Sequence, residues 1–395
     1  MTPEPSTVDL SRVVELLEIQ RGKDLHEGAQ VYVSRAGSLL LDEAVGESRA
    51  GRRIERDDVM LLYSAGKPLT TVAVLQLWER GRLGLDDRVG DYIADWGGGK
   101  ESVTIRHVLT HTGGFPRAAT DLYDTDVGFD ETLAAIAAHP AEWEPGTKAG
   151  YHLFAGWSVL GAIVEAVDGR RIDRYVTDEV FTPLGMDDCF IGVPPDEQAR
   201  LGDRLVPVQW KGHVMLRPDG DELAFVPYRV DESHNEHWHI AKIEPGGNAR
   251  GSARALGRFY ESLLGLGPQV LEPRTVEVMA SAHRRNMRDS TFLAVAPWGL
   301  GVQLSEMIGG GAGRRAFGHG GMVSTEAFCD PDLDLVVVVV TNGLPGFLEH
   351  DQRVSAIVDA IYSALGDDAQ HVRRPARTLA EEWGFAKGTV RPDDA

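Results

Sequence analysis

The stretch LLYSAGKPLTTVAVLQLWERG, residues 61–81, decides how the chain is read. Ser64 and Lys67 stand three residues apart, Pro68 follows the lysine, and an apolar run continues to Leu77. The first four N–H groups of a helix have no partner inside it, so proline costs little there and about 3 kcal/mol further in. The pattern predicts a helix starting near Ser64, with Pro68 in its first turn. Ser64 and Lys67 then share one face at the positive end of the helix dipole. That field favours an alkoxide and disfavours an ammonium, the states a nucleophile and its base require. Taken alone, the stretch has two readings. One is a serine capping a helix beside a solvated lysine; the other is a nucleophile beside its base. With 17 serines and 7 lysines in the chain, this spacing is easily met by chance. The catalytic reading also needs the lysine to titrate about 3 units below its usual value, or about 4–5 kcal/mol. A helix terminus supplies about 0.3–2 kcal/mol, so burial must supply most of the rest.

The whole chain narrows the function classes. Its 395 residues suit two structural units or one elaborate domain. A formal charge of -20 repels phosphate backbones, so no nucleic-acid partner is expected. The N-terminus, MTPEPSTVDLSRVVELLEIQ, lacks a basic region followed by an apolar core and a small-residue cleavage site. It predicts no secretion signal and a cytoplasmic protein. The longest apolar run, LVVVVV at residues 335–340, has strand length, so no membrane association is expected. Cys189 and Cys329 read as two reduced thiols, not a disulfide framework.

Along the chain, residues 29–46 read as a hairpin about Arg35-Ala36-Gly37-Ser38. Residues 81–202 carry mostly helical spacing; in FAGWSVLGAIVEAVDG, Phe154, Trp157, Leu160, Gly161 and Val164 share a face and Gly169 ends it. SARALGRFYESLLG predicts a helix after Gly251. In STEAFCDPDLDLVVVVVTNG, Pro331-Asp332 predicts a turn between two strands, the second buried on both faces. A last helix is expected near Val354 to Leu365. The strand signals lie at both ends of the chain, which predicts an α+β fold: one sheet built from both ends and flanked by helices, with a mainly helical lobe inserted. The expected units are a discontinuous sheet lobe, 12–80 and 246–366, a helical lobe, 81–245, and a tail, 367–395, with a Thr378-x-x-Glu381 capping box.

No Gly-x-Ser-x-Gly elbow occurs, which disfavours an ordinary α/β-hydrolase. EPGTKAGYHLFAGWSVLG places Tyr151 on a turn before a helix. RAFGHGGMVST places His319, Gly320 and Gly321 between strand-like segments, where glycines permit close backbone approach. The N–H of Met322, just after them, is suited to an oxyanion. Ser-x-x-Lys, then this tyrosine, then His-Gly-Gly resembles, in order and context, the serine beta-lactamase-like superfamily. More closely, it is similar to class C beta-lactamases, D-stereospecific peptidases and family VIII esterases. LTHTGGFP at 109–116, GRLGLDDRVGDYI at 81–93, PLGMDD at 183–188 and PGGNARGSARALGRF at 245–259 extend the resemblance from about Val13 to Leu365.

The resemblance implies an antiparallel sheet and assigns roles. Ser64 is the acyl-accepting nucleophile, Lys67 its base, and Tyr151 the shared acid/base. The N–H groups of Ser64 and Met322 form the oxyanion hole. His152, Leu153, His319, Gly320 and Gly321 face substrate, and neither cofactor nor metal is implied. Two departures redirect the substrate class. Lactamases usually read Tyr-x-Asn, and this chain reads Tyr151-His152-Leu153; the late motif is usually Lys-Thr-Gly, and here it is His319-Gly320-Gly321. A fixed cation that would greet a carboxylate is replaced by a residue titrating at about 6.5. The expectation is a carboxylesterase for small-molecule esters or activated acyl compounds. The alternatives are an acyltransferase to an amine or alcohol, a D-amino-acid amidase or peptidase, a beta-lactamase, and a non-catalytic binder. Retention of Ser64, Lys67 and Tyr151 counts against the binder.

Other histidines carry bland readings. DESHNEHWHI, with His234, His237 and His239, reads as a polar loop, a cleft lining or, without a recognised zinc spacing, a metal set. His111 is expected to tie a loop through hydrogen bonds, and His152 to tune Tyr151 or face solvent. Phe154 and Trp157 read as core.

Overall fold

The computed structural model of the chain describes residues 8–211, 214–219, 222–227 and 232–382. Seven strands form one antiparallel sheet: β1 (Gly28–Arg35), β2 (Ser38–Arg49), β3 (Arg52–Arg53), β4 (Gln303–Leu304), β5 (Phe317–Gly321), β6 (Thr325–Asp330) and β7 (Leu335–Thr341). Their spatial order is β4-β5-β6-β7-β1-β2-β3. The two chain ends meet where β7 pairs with β1, Val33 opposite Val337 and Val31 opposite Val339.

Every residue of β7 is buried, because both faces of the sheet are covered. Val337 and Val339, with Val31 and Val33, pack under α1 (Ser11–Gly22) and a late helix that supplies Ile357, Ile361 and Tyr362. Val336, Val338 and Val340 lie on the opposite face, in a second core. That core contains helices α2 (Lys67–Glu79), α3 (Ala155–Asp168) and α4 (Ala253–Leu263). Strand side chains alternate between faces, so an all-valine run feeds both layers. Gly257 lets α4 settle onto β1: a Cβ there would stand 2.3 Å from the Tyr32 ring.

Helix α2 is buried at every position from Lys67 to Leu77, so it has no solvent face, and its polar Lys67, Thr70, Thr71 and Gln76 are buried with it. A 3₁₀ turn over Tyr63–Gly66 precedes it, and Pro68 falls in its first turn. The late helix, α5 (Phe347–Ala364), begins seven residues before its expected start. Its first turns hide a buried cation from any apolar pattern: Arg353 donates to the carbonyls of Leu25, Val323 and Gly343 and to Thr341 Oγ1. The capping box forms as expected. Glu381 N donates to Thr378 Oγ1 at 3.1 Å, and Thr378 N donates to a Glu381 carboxylate oxygen at 2.8 Å. Cys189 and Cys329 are buried free thiols. Among the described residues, no helix is long and apolar enough to cross a membrane.

The C-terminal end of β5 lies against the turn that carries Ser64. A Cβ on Gly321 would stand 2.2 Å from the Leu62 carbonyl oxygen and 3.2 Å from Ala65 N. Gly321→Ala should push strand and turn apart by a fraction of an ångström or more. A misplacement of about 1 Å costs about 100-fold in rate, so pre-steady-state acylation of the variant should fall on that order. An unchanged rate would show that the contact does not set the site.

Candidate active site

Three segments distant in sequence enclose the Lys67 ammonium. Its Nζ donates to Ser64 Oγ at 3.1 Å, to the Leu153 carbonyl at 2.5 Å and to the Gly246 carbonyl. An ammonium has three donors, and all three are matched. When it loses a proton, two N–H groups keep the two carbonyls and the lone pair faces Ser64. The carbonyls thus orient the amine toward the serine. Ser64 makes no helix-capping bond, which removes the capping reading.

Lys67 is fully buried. Burial pushes its pKa down to about 7, with the Glu244 charge opposing the shift. This is the burial the sequence argument required. Glu244, also buried, is pushed the other way by burial, with Lys67 opposing. Glu244 Oε1 accepts from Ser158 Oγ at 3.2 Å and from Gly246 N at 3.0 Å, so residue Gly246, through its N–H and its carbonyl, links the carboxyl to the lysine. Sequence reading missed Glu244. Its one signal was an acidic residue directly before the Pro-Gly-Gly of a segment already singled out.

Tyr151 stands beside this pair, its ring centroid 5.2 Å from Lys67 Nζ. Burial raises its pKa well above the usual phenol range, and a hydrogen bond with Ser64 opposes the shift. The phenol is therefore protonated at neutral pH. Its backbone is held by Asp289, whose Oδ1 accepts from Tyr151 N at 3.1 Å. Asp289 is itself paired with buried Arg284 at 3.0 Å. The Tyr151 ring packs against His111, Phe292 and Trp298. Asp289 and Arg284 were also missed, because nothing in RRNMRDS separates a buried ion pair from a solvated loop.

The remaining expected residues divide. The N–H groups of Ser64 and Met322 have no acceptor among the described residues, and the Gly321 contact brings their segments together. Leu153 is 49% exposed beside Lys67, as a lining residue would be. Gly320 N is engaged by Gln303 Oε1 at 2.9 Å. His319 is buried, and burial together with Lys67 holds its pKa down to about 3, so it is neutral, not a pH-dependent cation. His152 points inward, which corrects the solvent reading. Its ring is fully buried, stacks on His111 and packs on Phe115. His111 ties the loop as expected, accepting at Nδ1 from the His152 backbone N–H at 3.0 Å. Trp157 is core, and its Nε1 also donates to the Lys67 carbonyl at 2.8 Å. The His-rich tract is not a polar loop: His234 and His239 are buried.

Half-buried Ser64 and the buried Lys67 and Tyr151 therefore stand together beside the end of β5. The beta-lactamase family pattern matches residues 17–360, and the chain belongs to that family. It is 29% identical to esterase EstB of Burkholderia gladioli, over 92% of this chain and 98% of that protein. The crystal structure of a family VIII carboxylesterase superposes with a TM-score of 0.74 at 22% identity, over 90% of this chain and 97% of that one. EstCE1, described as a hydrolase with promiscuous acyltransferase activity, gives 0.72 at 21% identity, over 89% and 98%.

Lys67→Ala should lower the acylation rate by about 10²–10⁴-fold, the usual contribution of a general base. It should also lower the melting temperature, because the Leu153 and Gly246 carbonyls lose their donor. Near-normal acylation would remove the base role. If Lys67 is the base, its neutral amine is the active form, and kcat/KM should rise with pH through about 7 and then level. Glu244→Gln removes a charge that raises the Lys67 pKa, so this limb should move to lower pH. An unmoved limb would show that the two groups do not communicate.

Proposed function

We propose that the chain is a carboxylesterase acting on neutral small-molecule esters through an acyl-Ser64 intermediate. The observation that carries this reading is the absence of a fixed cation at position 319, where the neutral, buried His319 stands, with the exposed side chain of Leu153, whose carbonyl accepts from Lys67, nearby. A carboxylate-bearing substrate finds no fixed partner in these residues, and an acyl ester needs none. The esterase relative supports the same choice.

Ser64 Oγ attacks the ester carbonyl carbon as its proton passes to neutral Lys67. The carbonyl oxygen becomes an oxyanion and takes the N–H groups of Ser64 and Met322. Tyr151, protonated in the free enzyme, gives its proton to the departing alkoxide, and the new Lys67 ammonium stabilises the tyrosinate. In the second half-reaction water attacks the acyl carbon and gives its proton to Tyr151. Ser64 leaves and recovers its proton from Lys67. Ester and water become acid and alcohol, and all three side chains return to their starting states. An alcohol or amine in place of water would make the same acyl-enzyme a transferase.

The test is turnover of short-chain p-nitrophenyl esters by wild type and Ser64→Ala, with intact mass recorded during turnover. The expected result is activity and an acyl adduct on wild type only. Adding an alcohol reads out the partition between acid and new ester. No turnover and no adduct across a series of chain lengths would overturn the esterase reading.

A further inference from the structure

The His-rich tract places a second cluster directly behind the nucleophile's turn. His234 Nδ1 is 2.9 Å from the hydroxyl of Tyr63, the residue before Ser64, and His234 Nε2 is 2.9 Å from Asp124 Oδ1. The His239 ring centroid lies 4.4 Å from that of His234. His239 is fully buried, and neither of its ring nitrogens has a hydrogen-bond partner among the described residues. A buried imidazole with both nitrogens unmatched is costly, so native structures almost always satisfy such a group with protein, water or an ion. One ligand atom each from Asp124, His234 and His239 lies within 4.8 Å of the others.

We propose that Asp124, His234 and His239 bind a divalent transition metal of the zinc class. Two imidazoles and a carboxylate are a donor set suited to zinc. Bonds of about 2.0–2.2 Å around a tetrahedral ion put ligand atoms about 3.4 Å apart, so the three atoms, now within 4.8 Å of one another, would draw closer on binding. A metal-bound imidazole ordinarily donates its other N–H to a neighbour, which fixes the tautomer. Tyr63 is placed to supply that acceptor: its hydroxyl lies 2.9 Å from His234 Nδ1, so with Nε2 on the ion the Nδ1–H would donate to it. The site is also braced. Lys242 Nζ donates to the carbonyls of Leu122, Tyr123 and Thr125, fixing the loop of Asp124 to the segment of His239. Buried Arg250, the neighbouring cation, is turned to the His234 carbonyl and Asn248 Oδ1. Sequence spacing gave no zinc pattern because Asp124 lies 110 residues before His234. The proposal departs from the expectation that no metal is bound. The ion would tie the Asp124 loop and the 234–239 segment to the turn of Ser64, with no part in the ester chemistry itself.

The test uses the full chain, stripped with a chelator and titrated with Zn(II) by calorimetry and with Co(II) by visible absorption. The expected result is one saturable equivalent, the intense visible bands of low-symmetry cobalt, and a melting temperature raised by zinc. Asp124→Asn and His239→Ala should each abolish that equivalent and the thermal shift. Asp124 is half exposed, so its variant should fold, and circular dichroism of the metal-free forms checks this. Tyr63→Phe should weaken binding by about 10–100-fold, the usual effect of losing an outer-shell partner. No saturable equivalent on wild type, or uptake unchanged in both ligand variants, would overturn the site.

Discussion

A lysine amine enclosed away from water is the condition on which the rest of this structure depends. Lys67 needs a dry pocket to become a base and hydrogen-bond acceptors to tolerate that pocket. The fold meets both needs with backbone. Helix α2 is buried on all sides, Trp157 grips the lysine's carbonyl, and the carbonyls of Leu153 and Gly246 take two of its protons. Carbonyl dipoles orient the amine without adding a formal charge, so burial still sets the direction of its pKa. Glu244 is the counterweight, near enough to oppose the shift and screened from direct contact by the Gly246 peptide.

The other titrating groups follow from the same dryness. Burial keeps Tyr151 protonated and His319 neutral, so the free cleft presents a phenol and no histidine charge on β5. The buried Arg284–Asp289 pair stands one step behind, where it positions the Tyr151 backbone. A buried ion pair is weak evidence for stability, but it fixes geometry when its members also bind backbone. Asp289 does so at Tyr151, Thr291 and Phe292.

Local patterns were legible wherever one segment carries its own reason. The hairpin of β1 and β2, the valine run of β7, the apolar stripe of α3 and the capping box at Thr378 each follow from spacing within about a dozen residues. Helix α5 shows the limit. Its first two turns contain Asp351 and Arg353, polar in sequence and buried in the fold, so the apolar period starts too late. The His-rich tract erred for the same reason: histidines read as loop residues until the packing buries them.

By itself the sequence determined the order of elements, the helix start that puts Ser64 one turn from Lys67, and the Tyr151 and His319 motifs. All of these are properties of neighbours along the chain. Only the tertiary structure decided which groups surround the lysine, that Glu244 answers it, that His319 is neutral, that His152 faces inward, and that Asp124 meets His234 and His239. The physical reason is that desolvation and Coulomb interaction depend on distance in space. Contacts among residues 67, 153, 244 and 246, or among 124, 234 and 239, exist only after the two ends of the chain have closed one sheet over a common core.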